Sequence, residues 1–191
     1  VHEIYPWFSE APVETYSAFG IKTEFRVVND IITQGGRKIA GEGGGNIGEC
    51  MVFVGGILLD FDYQTMSKIL KVPDEKFRDK VYKTMEENLT TMKKELGAPP
   101  PREEVIKILK EKFENKVGKL EVASLNPQII EKMKQLEAWM TSEEFLLKKT
   151  PRIPGGVKIR EGVEVLYGLH KARGGLIRTA EEVSEERIED I

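Results

Sequence analysis

A chain of 191 residues, 40% apolar and 32% charged, can bury one well-formed core, or one core and a small appendage, and is too apolar for bulk disorder. Its formal charge of −3 gives no general electrostatic reason to bind nucleic acid or an anionic membrane. No apolar run approaches the roughly 20 residues of a membrane span, and one cysteine and two histidines exclude an internal disulfide and a multi-histidine metal site. The first residues lack a basic region followed by an apolar one, and lone Cys50 fits a reducing compartment, so a cytoplasmic location is expected.

In chain order, Ile4, Trp7, Phe8, Val13, Tyr16 and Phe19 suit a helix over 3–19 that Gly20 stops. An extended run over 22–32 follows, then a hairpin signal at Gln34-Gly35-Gly36 and a short return strand from Arg37 to Gly41. A glycine-rich loop leads into a continuous apolar run, Met51 to Leu59, read as a central strand, with Cys50 at its start as a small buried hydrophobe. Beyond Asp62 the period is helical: Met66, Ile69 and Leu70 form one face, and Met85, Leu89, Met92 and Leu96 another that Gly97 closes. Val105, Leu109, Phe113 and Val117 mark a further helix, and Ile129, Met133, Leu136 and Met140 one more; Thr141 with Glu144 reads as a capping box. The segment 150–156 is the linker candidate, separating a domain over 1–149 from a small antiparallel β unit over 157–191 with too little core to stand alone.

The chemistry concentrates between Glu24 and Asp62. Lys38 sits in a Gly-Gly-Arg-Lys-Ile turn whose glycines let a ligand approach the backbone, and whose isoleucine fixes the lysine's direction. A lysine held in this way supplies a compact positive charge for a phosphate or a developing carboxylate–phosphate transition state. Gly43-Gly44-Gly45 offers backbone N–H groups to an anion, although it matches neither a dinucleotide fingerprint nor a P-loop. Asn29-Asp30 either hydrogen-bonds a nucleotide or holds a local turn. Asp60 and Asp62, at strand spacing, either share Mg²⁺ or leave Asp62 as the N-cap of the next helix.

These residues carry a resemblance. The run from Phe25 to Asp62, with VND, GGRKIAG and ILLDFD in order, resembles the lipoate–protein ligase family, in particular an archaeal-looking branch in which a glycine-rich segment and Ile47-Gly48-Glu49 follow the lysine motif. Lys71 to Lys76, Leu89 to Met92, Glu95 to Gly97 and Ser142 to Phe145 look familial too, and Lys171 to Arg178 resembles the opening of the family's accessory C-terminal domain. The resemblance implies an α/β (α+β) fold shared with biotin protein ligases, a mixed sheet with flanking helices and a small C-terminal β unit. It also implies ATP-dependent conversion of lipoate to lipoyl-adenylate, with transfer to a lysine of a lipoyl domain or of the glycine-cleavage H protein. ATP, Mg²⁺ and lipoate are then the implied ligands, none covalently resident.

On this reading Lys38 is the catalytic residue, and Asn29, Asp30, Arg37, Gly41, Gly43, Gly44 and Gly45 are the adenylate- and acyl-binding candidates. Asp30, Asp60 and Asp62 are the metal candidates. Three departures stand out: no Arg-Arg-x-x-Gly-Gly-Gly motif precedes the lysine region, Val54-Gly55-Gly56 replaces a His-Gly, and the accessory domain stops at Asp190-Ile191. A ligase shortened at both ends is therefore expected, with a complementary chain or self-association covering its apolar sheet edges. The alternative is a non-catalytic homologue that binds a partner or itself. A cysteine-dependent octanoyl transferase is a third reading, and biotin ligation a sister activity; the context of Cys50 and the flanking segments favour neither.

Overall fold

The computed structural model describes residues 4–70, 72, 75–148, 156–185 and 187–191. The linker candidate at 150–156 falls, except for Gly156, outside the described residues, as do Glu3 and parts of the 71–76 segment. Two units are distinguished, Val1–Gly118 with Gly155–Ile191, and Lys119–Pro154.

In the larger unit, α1 (Ile4–Ala18) ends at Gly20, whose φ of +82° takes the left-handed turn. The run expected as one extended segment is two strands, β1 (Thr23–Arg26) and β2 (Asp30–Thr33), which pair antiparallel around a turn over Val27–Asn29. β3 (Lys38–Ile47) is longer than the expected return strand and contains the glycine triplet, which is a strand here and not a loop. Its partner β4 (Cys50–Gly55) takes Gly43, Gly44 and Gly45 opposite Val54, Phe53 and Val52. The paired neighbour, not local propensity, holds these glycines extended. β4 ends the described order β1-β2-β3-β4 instead of lying at its centre, and Cys50 is exposed beside the hairpin rather than buried.

The helical stretch from Met85 to Leu96 is also divided, into α3 (Glu75–Asn88) and α4 (Met92–Leu96), after the short α2 (Tyr63–Ile69). The break has a tertiary cause. The Thr90 amide donates to the Lys38 carbonyl at 2.8 Å, and the Met92 and Lys93 amides to Leu58 and Leu59 at 2.8 and 3.0 Å. Those donors are lost to any continuous helix. α1 and α5 (Arg102–Val117) pack on each other, and Tyr16, Ile21, Ile31, Ile39, Met92 and Val105 form the core beneath the sheet.

The C-terminal strands β5 (Gly156–Arg160), β6 (Val163–Ala172), β7 (Gly175–Ser184) and β8 (Arg187–Asp190) form a second antiparallel sheet. As its small size requires, this sheet borrows a core: Ile159, Val163, Val165 and Ala180 pack on Phe77, Val81 and Met85 of α3. In the smaller unit, α6 (Pro127–Met140) and α7 (Glu143–Leu146) meet through Trp139 and Phe145, with ring centroids 4.5 Å apart. Ser142, not Thr141, caps α7 by accepting from the Phe145 amide, because Thr141 already closes α6. Among the described residues, no helix is long and apolar enough to cross a membrane.

Candidate active site

Lys38 opens β3, and its backbone is fixed from two sides. The Thr90 amide donates to its carbonyl, and the buried Tyr16 hydroxyl donates to the Ile39 carbonyl at 3.1 Å. Burial pushes that phenol well above the ordinary tyrosine range, so it stays a neutral donor. Ile39 is wholly buried and anchors the strand in the core. A bulge between Ile31 and Ile32 sets Ile32 opposite Lys38 and Ile31 opposite Ala40, which shifts the strand's side-chain alternation at the lysine.

The lysine side chain then lies across Gly41. A Cβ built on Gly41 would sit 3.1 Å from both Cε and Nζ of Lys38, tighter than van der Waals contact allows without movement. Its ammonium reaches Asp30 Oδ1 at 2.7 Å, with the Asp30 side chain 2% exposed and that of Lys38 22%. Strand alternation puts Gly41, Gly43 and Gly45 on this same face and Glu42 and Gly44 on the opposite one. Lys38 thus stands at the head of a glycine-faced strand, with its own side chain over Gly41, a Val54 methyl 3.3 Å from the Cβ position of Gly43, and open space at Gly45.

On the opposite face, Gly44 accommodates Tyr5, whose hydroxyl would be 3.1 Å from an added Cβ. Glu42 is 5% exposed and accepts from Ser9; its other carboxylate oxygen has no hydrogen-bond partner among the described residues. Burial, reinforced by the Asp30 charge, raises the pKa of Glu42 above the ordinary carboxylate value, and the Ser9 bond offsets only part of that. Glu42 also borders an apolar cavity of about 430 Å³ between β4 and α5, lined by Phe53, Leu59, Val105, Leu109 and Phe113. Sequence reading passed over Glu42; a single carboxylate inside a run of glycines flanked by apolar strands was the available signal.

The remaining candidates divide. Asn29 donates to the Glu42 carbonyl at 2.5 Å and its own carbonyl accepts from the Glu42 amide, so it ties the β2 turn to β3. Arg37 is held by Glu95 at 2.7 Å, a carboxylate that Thr90 also serves. Asp60 and Asp62 do not lie on a strand. Asp60 pairs with Lys93 at 2.7 Å, and Asp62 caps α2 through the Thr65 amide and hydroxyl. These hydrogen bonds draw both carboxyls below their usual range. Among the described residues no group of three or more His, Cys, Asp or Glu could hold a metal ion. The carboxylates of Asp30, Asp60 and Asp62 are each engaged by a partner within the chain.

Residues 1–114 match the family described as the lipoyl protein ligase A/B catalytic domain. The chain belongs to that family. It is 32% identical over 96 residues to the octanoyltransferase LipM of Kyrpidia tusciae, a match that covers 50% of this chain and 35% of LipM. Its fold is similar to that of the bipartite lipoate protein ligase of Thermoplasma acidophilum, solved in work on that archaeon's lipoylation system and E2 lipoyl domain (TM-score 0.68, 24% identity, 79% of this chain and 61% of that one). It is also similar to a lipoate-protein ligase A bound with ATP, with a TM-score of 0.60 and 17% identity over 76% of this chain and 58% of that one. The chain thus spans about a third of the curated relative and about three fifths of the archaeal structure. The biotin/lipoate-ligase fold expected from the motifs is the fold observed.

Proposed function

We propose that this chain carries the lysine half of an adenylating lipoate–protein ligase site. The observation that supports this most directly is the Lys38 ammonium, pinned by a buried Asp30 at the head of a glycine-faced strand in a lipoyl-ligase-type domain. In the first step a lipoate carboxylate oxygen attacks the α-phosphorus of ATP, and pyrophosphate leaves. Lys38 offsets the negative charge that gathers between carboxylate and phosphate, and the backbone of Gly41, Gly43 and Gly45 lets the mixed anhydride lie close. In the second step the neutral ε-amine of an acceptor lysine attacks the acyl carbon, AMP leaves with the former carboxylate oxygen, and the amine's proton passes to a base. Mg²⁺ arrives with the triphosphate. The acceptor is a lipoyl domain or a glycine-cleavage H protein, the compartment is the cytoplasm, and a complementary ligase chain supplies the rest of the pocket.

The test is lipoate-dependent ATP–pyrophosphate exchange, run on the chain alone and with a complementary ligase chain, with octanoate as the competing substrate. Exchange that disappears in Lys38→Ala supports the reading. No exchange in either setting sinks it, and an unimpaired Lys38→Ala sinks the site.

One observation favours a second reading, a binding or self-associating module: Ile47, Met51 and Val54 are exposed on and beside the terminal strand β4. A chain that sediments as a monomer and captures no ligase-type partner would count against it.

A further inference from the structure

Asp30 has two carboxylate oxygens, and both are used. Oδ1 holds Lys38, while Oδ2 accepts the backbone N–H of Glu161 at 3.1 Å, from a residue 131 positions away in the C-terminal sheet. Glu161 and Gly162 form the turn between β5 and β6. Gly162 has φ +73°, the left-handed region that favours glycine, and Glu161 is not among the residues with positive φ.

That turn is itself braced. Arg160 donates to Asn88 at 3.1 Å and to the Glu161 carbonyl at 2.8 Å, the Glu185 amide donates to the Gly162 carbonyl at 2.8 Å, and Arg26 pairs with Glu185 at 3.2 Å. A simple docking contact would use surface side chains. Here a main-chain donor, which has no rotamers, reaches a carboxylate that is almost wholly buried.

We propose that the β5–β6 turn is part of the lysine site: the Glu161 amide positions the Asp30 carboxylate, and through it the Lys38 ammonium over the glycine face. With one oxygen anchored by the backbone, the carboxylate plane cannot rotate freely, so the lysine has one direction in which to find its partner. The C-terminal sheet then completes the site instead of merely following it. What the positioned lysine does rests on the ligase reading; the positioning itself does not.

The turn geometry supplies a clean test. Proline fixes φ in the negative range, and Glu161 is not among the residues with positive φ, so Glu161→Pro deletes the N–H without demanding a left-handed backbone there. Glu161→Ala keeps the N–H and loses the same side-chain contact to Lys158. Both full-length variants are treated with an N-hydroxysuccinimide acetate ester, and acetylation of Lys38 is followed by peptide mass spectrometry against exposed lysines of the same chain. Labelling of Lys38 is expected to be about tenfold faster in Glu161→Pro than in Glu161→Ala, in keeping with the loss of one hydrogen bond to a charged group. Equal labelling overturns the proposal.

If the proline variant loses its C-terminal sheet, hydrogen exchange in the Asp30→Ala variant takes its place. The Glu161 amide should exchange at least about tenfold faster than in the parent, relative to β6 and β7 amides. An unchanged Glu161 amide overturns the proposal too. A parent inactive in pyrophosphate exchange would remove the ligase reading and leave both results readable.

Discussion

Replacing Lys38 by methionine keeps the side chain's bulk and removes its charge, which strands the Asp30 carboxylate in the interior with the Glu161 amide as its remaining partner. Breaking a fully buried pair in this way destabilises by roughly 3–5 kcal/mol. Lys38 keeps 22% of its side chain exposed, and the amide still serves Asp30, so the expected loss is about 2–3 kcal/mol. For a protein of this size that is a fall in Tm of about 4–12 °C. Of the two tryptophans, Trp139 lies in the smaller unit, so urea unfolding of a Trp139→Phe background follows the larger unit through Trp7 alone. Asp30→Asn added to Lys38→Met should restore about 1–2 kcal/mol, since the buried charge is then gone. A Lys38→Met variant as stable as its parent, or a double variant weaker than Lys38→Met, would refute the reasoning. The same numbers matter for reading activity: Lys38 variants must be assayed well below their own midpoint before lost exchange is assigned to chemistry.

Three further outcomes follow from the geometry. Gly41→Ala forces Lys38 off its course, and lipoate-dependent exchange should fall on the order of a hundredfold with little change in circular dichroism; parental exchange would show that the lysine's path across Gly41 is immaterial. Because burial raises the Glu42 pKa, the folded chain binds that proton more tightly than the unfolded chain. The associated stability is full below the ordinary carboxylate range and is lost as pH rises through the folded-state value. Glu42→Gln should therefore gain on the parent from acid to neutral pH in urea titrations, and a pH-independent difference would contradict this. Asp62→Ala should loosen the α2 cap and leave the Mg²⁺ dependence of exchange unchanged; a shifted Mg²⁺ requirement would instead make Asp62 a ligand.

What could be read from the sequence was whatever depends on local pattern or ordered motif. α1, α5, α6 and the C-terminal strands follow their apolar periods, and VND with GGRKIAG pointed to Lys38 and to the family. What could not be read was set by partners distant in the chain. The glycines of β3 are a strand only because β4 lies beside them, and α3 stops at Asn88 because Lys38, Leu58 and Leu59 take the next amides. The meeting of Lys38 with Asp30 depends on a bulge that no period predicts, and the second oxygen of Asp30 on a turn in another sheet. Asp60 and Asp62 share a spacing that reads as strand, but their carboxylates serve Lys93 and the start of α2.

The 131 positions that separate Glu161 from Asp30 also set a clock. At roughly 5–20 residues per second, a ribosome that has just placed Asp30 needs about 7–26 s to add its second hydrogen-bond donor. Over most of that interval Phe77, Val81 and Met85 of α3 also wait for the strands that cover them. The nascent chain therefore passes through a stage with its first sheet complete, its lysine clamp half-built and an apolar helix face uncovered. A message cut short before Gly156 would leave it at that stage, as a natural client for chaperones and proteases.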